Sequence, residues 1–188
     1  MRPSGVAVAF AAAVLLAVPA AAVELPDGYR TERYRAPVPD RVPGGTTLDT
    51  NGLRALLAAE GRHLVLVDVS PLLRTAETDF DGTWIVAEER RHIPGSFWLP
   101  NVGYGTLDRT VRAYFESELA RATGGDRARP VVFYCYVDCW MSWNAARRAA
   151  LELGYARVHW YPEGTDGWAE LGLPTESGMP VPLVVRAD

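Results

Sequence analysis

Lysine is absent from this chain of 188 residues: all 19 basic side chains are arginine, and 23 acidic ones leave a net charge of −4. No basic stripe forms, so nucleic-acid binding drops out as a function. Cysteine is almost absent too. The two present, Cys135 and Cys139, both lie far from the N-terminus, so nothing supports a lipid-anchored start. No internal repeat or low-complexity run follows the first residues. The one long apolar run, Val6 to Val18, falls short of the ~20 residues that a membrane-spanning helix needs.

That run follows a basic start at Arg2 and precedes Pro19-Ala20-Ala21-Ala22, which reads as a secretory signal peptide over 1–22, cleaved after Ala22. The mature protein is therefore expected in the periplasm or secreted, with no membrane association after cleavage. An oxidising compartment favours a disulfide between neighbouring cysteines unless a reductant maintains them. A composition of 48% hydrophobic and 22% charged residues suits one globular domain with a full core. Residues 23–46, with Pro26, Pro37, Pro39, Pro43 and Gly44-Gly45, predict an extended arm, to which Tyr29 and Tyr34 offer anchors. The domain itself is placed at 47–178 and a tail at 179–188.

Within the domain, Leu48, Leu53, Leu56 and Leu57 recur at helical spacing, with Asp49 or Thr50 to cap the start and Gly61 to stop it. His63 to Val69 is an almost continuous apolar strand of the doubly buried, parallel kind, ending on Asp68. The long connection from Ser70 to Arg91 predicts a hairpin or flap around Asp81-Gly82. A turn at His92 to Ser96 and a short strand at Phe97 to Leu99 follow. A helix is expected over Arg112 to Ala122, a strand from Val131, a helix from Ser142 ending at Gly154, a strand over Val158 to Tyr161 and a short helix over Gly164 to Leu171. Alternation of this kind predicts an α/β fold with a mostly parallel central sheet flanked by helices.

Cys135 ends the β-branched and aromatic run Val131-Val132-Phe133-Tyr134, where open α/β sheets place their ligand crevices. A helix N-terminus beyond it would stabilise a thiolate through its amides and dipole. Three residues, Tyr136, Val137 and Asp138, separate Cys135 from Cys139, so a disulfide closes if the loop brings the Cα atoms to about 5.5 Å.

The order of motifs is more specific than any one of them. Leu66-Val67-Asp68-Val69, His92-Ile93-Pro94-Gly95-Ser96, Val132-Phe133-Tyr134-Cys135, Ala145-Ala146 to Leu153-Gly154-Tyr155 and Trp168 to Pro174 together resemble the rhodanese-like sulfurtransferase domain over roughly Leu48 to Glu176. With the signal peptide and Cys139-Trp140, the chain looks more narrowly like the exported rhodanese-like proteins named for a CxxCW motif and associated with catabolism dependent on pyrroloquinoline quinone (PQQ). The loop here is one residue longer than that name. The resemblance implies that Cys135 accepts a sulfane sulfur as a persulfide, held by loop amides, and passes it on. It departs in lacking the glycine and basic residue that usually follow the cysteine. Asp138 would repel thiosulfate and raise the thiol pKa.

Two readings of the cysteines stay open: catalytic Cys135 and Cys139 doing sulfur transfer or thiol–disulfide exchange, or a structural disulfide in a non-catalytic accessory module. Whether the protein is an enzyme is thus unsettled by sequence. Tyr136, Val137, Asp138 and Trp140 form the loop, and Trp140 either shields the pair or anchors the core. Asp68 is expected to orient loop groups or to pair with His92 or an arginine, His92 being a packing element. Arg90, Arg91, Arg147 and Arg148 are candidates for a replacement anion site, although the last two read as a solvated helix face. Trp84, Trp98, Trp143, Trp160 and Trp168 are expected in the core, Trp84 with the alternative of folding over the cysteines. No cofactor or metal is implied, since two sulfurs make a metal site only if His92 and His159 converge on them. The expected partners are a small sulfur compound or a redox partner protein, and by resemblance a PQQ-dependent dehydrogenase system.

Overall fold

The structure, a computed structural model, describes residues 23–72, 83–86 and 89–183. The expected signal peptide at 1–22, the hairpin or flap expected around Asp81-Gly82 and the last five residues of the tail lie outside that set. Along the chain run β1 (Thr46–Thr47), α1 (Thr50–Glu60), a 3-10 turn (Gly61–His63), β2 (Val65–Asp68), β3 (Arg90–His92), β4 (Ser96–Trp98), α2 (Arg109–Thr123), β5 (Val131–Tyr134), α3 (Trp140–Leu151), β6 (Val158–Tyr161), α4 (Gly164–Glu170) and β7 (Glu176–Gly178).

Apolar runs with no polar alternation form strands buried on both faces, and here they pair in parallel. The main sheet has the order β1-β6-β5-β2-β4, every pairing parallel, with β5 in the middle. The fold is thus the expected α/β architecture. Alternate strand residues serve opposite layers. Val65, Val67, Val131, Phe133, Val158 and Trp160 pack with Phe115 of α2 and Trp143 of α3. Leu66, Val132, Tyr134 and Tyr161 pack with Leu53 of α1 and Trp168 of α4.

Helix starts follow local chemistry. Asp49 caps α1 by accepting from the Gly52 amide at 2.7 Å, and Asp108 caps α2 by accepting from the Val111 amide at 2.9 Å. Helix α3 begins at Trp140, two residues before the expected start, because Trp140 and Met141 find buried places in its first turn. The loop after β5 is shorter accordingly, and Cys139 becomes the N-cap of α3. The same helix ends at Leu151 with Glu152 as its C-cap; Gly154 lies two residues further on, at φ +71°.

Three short strands carry no hydrophobic signature and were not expected. β1 adds an edge to the sheet through Thr46 and Thr47, and β3 pairs antiparallel with β7 in a separate ribbon that aligns His92 with Glu176. All six tryptophans are buried, and each indole N–H donates to an oxygen.

A cysteine pair sealed at the end of the central strand

Cys135 follows β5 directly, at the carboxyl end of the middle strand. Cys135 and Cys139 are joined by a disulfide, their Cα atoms 6.2 Å apart. The turn between them is made possible by Asp138, whose φ of +52° is a conformation that aspartate tolerates better than most residues. Val137 and Asp138 are exposed, and Tyr136 is half-buried. On the far side, Gly164 at φ +59° comes so close to the Cys135 carbonyl that a side chain there would collide with it. The Thr165 amide donates to that carbonyl at 2.9 Å, and the Val137 amide donates to Asp166 at 2.9 Å.

Beneath the pair lies a buried charge network. Asp68, at the end of β2 and fully buried, accepts from Arg90 Nε and His92 Nδ1 at 2.8 Å each through one oxygen. Its other oxygen accepts from the Ser70 amide at 2.9 Å and hydroxyl at 2.6 Å. Burial pushes the Asp68 carboxyl up, but the His92 hydrogen bond, the Arg90 charge and donor, and Ser70 outweigh it and hold the group below the ordinary carboxylate value. Ser70 Oγ also lies 3.5 Å from Cys135 Sγ, which links the network to the disulfide. Arg90 is stacked over the Tyr136 ring, its guanidinium carbon 4.1 Å from the centroid, with Arg35 of the arm near the same ring at 5.1 Å. Of the arginines expected near the loop, Arg90 is therefore the one tied to it.

The arm completes the enclosure. The Ala36 amide donates to the Asp138 carbonyl at 3.0 Å, and the Trp140 amide donates to the Tyr34 carbonyl at 2.9 Å. The Trp140 indole donates to Pro37 at 3.0 Å, so this residue anchors the arm as much as it shields the pair. Cys135 is 0% exposed and Cys139 3%. The open, amide-lined cradle expected around Cys135 is thus corrected: Tyr34 takes the first amide of α3, and Asp166 takes that of Val137.

Three other expectations also change. Trp84 packs edge-on against Tyr114 and donates to Val181, rather than folding over the cysteines. Arg148 is no part of a solvated face, because it is buried and donates to the carbonyls of Val102, Tyr104 and Gly105. His92 and His159 do not converge on the sulfurs: His92 serves Asp68, and His159 sits within β6 opposite Val132. Sequence reasoning missed Ser70, Gly164, Thr165 and the covering role of residues 34–37. Only Ser70 had a signal to offer, as a hydroxyl two residues after a buried acidic strand end.

A pocket of about 460 Å³ opens beside the loop. Asp49, Glu163, Asp166 and Glu170 line it together with Val137 and Leu171, and no basic side chain does. An anionic sulfur donor would be repelled there.

A parallel α/β sheet with a cysteine directly after its central strand and a buried Asp–His–Arg group at the neighbouring strand end defines the class. The chain belongs to the rhodanese-like domain family: the family model described as "Rhodanese-like domain" matches residues 50–171. No curated protein matches. Among solved structures, the chain is similar to a thiosulfate sulfurtransferase from Pseudomonas aeruginosa, at 22% identity and a TM-score of 0.47, over 72% of this chain and 21% of that one. The chain thus spans about a fifth of that protein. It is also similar to a polysulfide-sulfur transferase from Wolinella succinogenes, at 20% identity and a TM-score of 0.42, over 71% of this chain and 79% of the other. An uncharacterized protein from Saccharomyces cerevisiae is similar at 22% identity and a TM-score of 0.43, over 68% of this chain and 92% of that chain.

Proposed function

We propose that this rhodanese-like protein is exported and that its Cys135–Cys139 pair performs thiol–disulfide exchange with a redox partner protein or a small sulfur compound. The observation that carries this reading is the bond between the two cysteines at the carboxyl end of the central strand. A crosslink that encloses so few residues contributes only about 2 kcal/mol by chain entropy, so stability is a weak reason for it in a domain with a complete core. Persulfide transfer through Cys135 is the less favoured chemistry. It needs that sulfur free and reachable, whereas it is bonded to Cys139 and buried, beside a pocket of carboxylates. The periplasmic or secreted location rests on residues 1–22. Service to a PQQ-dependent alcohol-oxidation system rests on the resemblance carried by that leader and Cys139-Trp140.

The burial of both sulfurs favours a second reading, a non-catalytic partner module in which the disulfide only braces the loop. The reduction potential separates the two. An exchange pair should equilibrate with a dithiol buffer between about −120 and −270 mV, whereas a bracing disulfide should lie below about −300 mV. A gain of about 32 Da on reduced protein treated with a sulfane donor would instead restore persulfide transfer.

A further inference from the structure

We infer that Cys139, and not the strand-end Cys135, is the sulfur that meets the substrate, and that Ser70 positions Cys135 as the resolving thiol. The inference rests on the exchange reading above.

Cys139 occupies the N-cap of α3, a helix of 12 residues, with the extended backbone of a cap residue and no side-chain cap hydrogen bond. An N-cap side chain ordinarily accepts from the second or third helical amide, here Met141 or Ser142, but this sulfur is committed to Cys135. Once the disulfide opens, a Cys139 thiolate falls where the helix terminus stabilises negative charge. Cys135 has the opposite surroundings. Ser70 Oγ lies 3.5 Å from its sulfur, and the Ser70 hydroxyl donates to the Asp68 carboxylate at 2.6 Å. The one proton of that hydroxyl goes to Asp68, whose own charge is taken up by Arg90, so Ser70 offers the reduced Cys135 an acceptor and no donor, which suits a thiol with its S–H directed at Ser70 Oγ and gives a thiolate no hydrogen bond.

The cover differs in the same sense. Over Cys139 lies one extended stretch of the arm, in which Arg35 is exposed and which two backbone hydrogen bonds and the Trp140 indole hold in place. Cys135 is held from the other side, its sulfur against Ser70 and its carbonyl against Thr165 and the close-packed Gly164. Displacement of the arm therefore removes cover from Cys139.

The chemistry balances as follows. A dithiol reductant delivers two electrons and two protons and leaves both cysteines reduced. The Cys139 thiolate attacks one sulfur of a substrate disulfide and displaces the other half as a thiolate, which takes the proton that Cys139 has shed. Cys135 then loses its proton and attacks Cys139 Sγ. The remaining substrate thiolate departs with that proton, and the internal disulfide reforms.

The test uses the full mature chain, reduced and then mixed with 4,4′-dithiodipyridine, a neutral disulfide that releases a chromophoric thione. Cys135→Ser should release one equivalent about tenfold faster than Cys139→Ser, and wild type should release a second equivalent as the internal bond closes. Ser70→Ala should leave the first release unchanged and slow the second several-fold; Ser70→Thr, which keeps the hydroxyl, should restore it. Wild type quenched in acid within the first phase should carry the pyridyl label on Cys139, a readout that does not depend on either single variant folding. Label on Cys135, or a faster Cys139→Ser variant, overturns the assignment and leaves the exchange reading intact. Release no faster than global unfolding in every native protein overturns both.

Discussion

Helices α1 and α2 start on aspartate, whereas α3 starts on sulfur. Asp49 and Asp108 each spend a carboxylate oxygen on a third-position amide, which satisfies a donor that the helix cannot. Cys139 stands in the same position and makes no such bond. Cysteine is a poor acceptor, so as a cap it serves the helix badly. At α1 and α2 the cap residue serves the helix; at α3 the helix serves the residue that caps it. That inversion occurs at a helix start joined to the central strand by a disulfide, and it separates a scaffold position from a chemical one.

The contrast breaks first if the floor under the sulfurs is removed. Asp68 accepts four hydrogen bonds from three residues with no exposure, and its loss strands the Arg90 guanidinium, itself 8% exposed. Asp68→Ala should cost about 3–5 kcal/mol of unfolding free energy, measured by urea denaturation. The same residue sets an acid limb. Its folded pKa is depressed, so the stability it adds is present above the unfolded value of about 3.9 and is lost as pH falls through the lower folded value. Wild-type stability should therefore drop below about pH 4. Asp68→Asn should lack that portion of the drop; a variant with an unchanged acid limb would remove Asp68 from this role.

The next largest effect falls on the opposite wall. Gly164→Ala puts a side chain at φ +59° against the Cys135 carbonyl, with backbone strain alone of about 1–2 kcal/mol. Displacing that carbonyl moves the loop, so the disulfide should be reduced faster by a phosphine than in wild type. Equal reduction rates at equal stability would show that this wall does not govern access to the pair.

Much of the scaffold was legible because its determinants are side chains. Continuous apolar runs became β2, β5 and β6, and the recurring leucines before Gly61 became α1. Cys135 and Asp68 were expected at strand ends and lie there, and the expected pairing of Asp68 with His92 or an arginine is met by both; from sequence His92 reads as a packing element. What escaped is carried by backbone or by distant pairing. Strands β1, β3 and β7 are two or three residues long, largely polar, and exist only because remote segments meet them. The arm closes the site through the Tyr34 carbonyl and the Ala36 amide, groups that every sequence contains. Arg148 misleads for a related reason, since its partners are three backbone carbonyls.

The smallest effect sharpens the comparison most directly. Asp49→Ala and Asp108→Ala should each cost about 1 kcal/mol by urea denaturation, the usual worth of an N-cap side chain. At Cys139 the expectation depends on the disulfide. In wild type the sulfur contributes no cap, so the bond's chain-entropy term must be separated first by working in a Cys135→Ala background. There, Cys139→Asp should stabilise by about 1 kcal/mol relative to Cys139→Ala, because a carboxylate can accept from the amides of α3 and lies at the favourable end of its dipole. The same two variants should differ less at high salt, where the dipole contribution is screened. If aspartate and alanine are equivalent at this position, the α3 terminus has no capacity to hold a negative group, and the difference between this helix start and the other two lies only in the sequence.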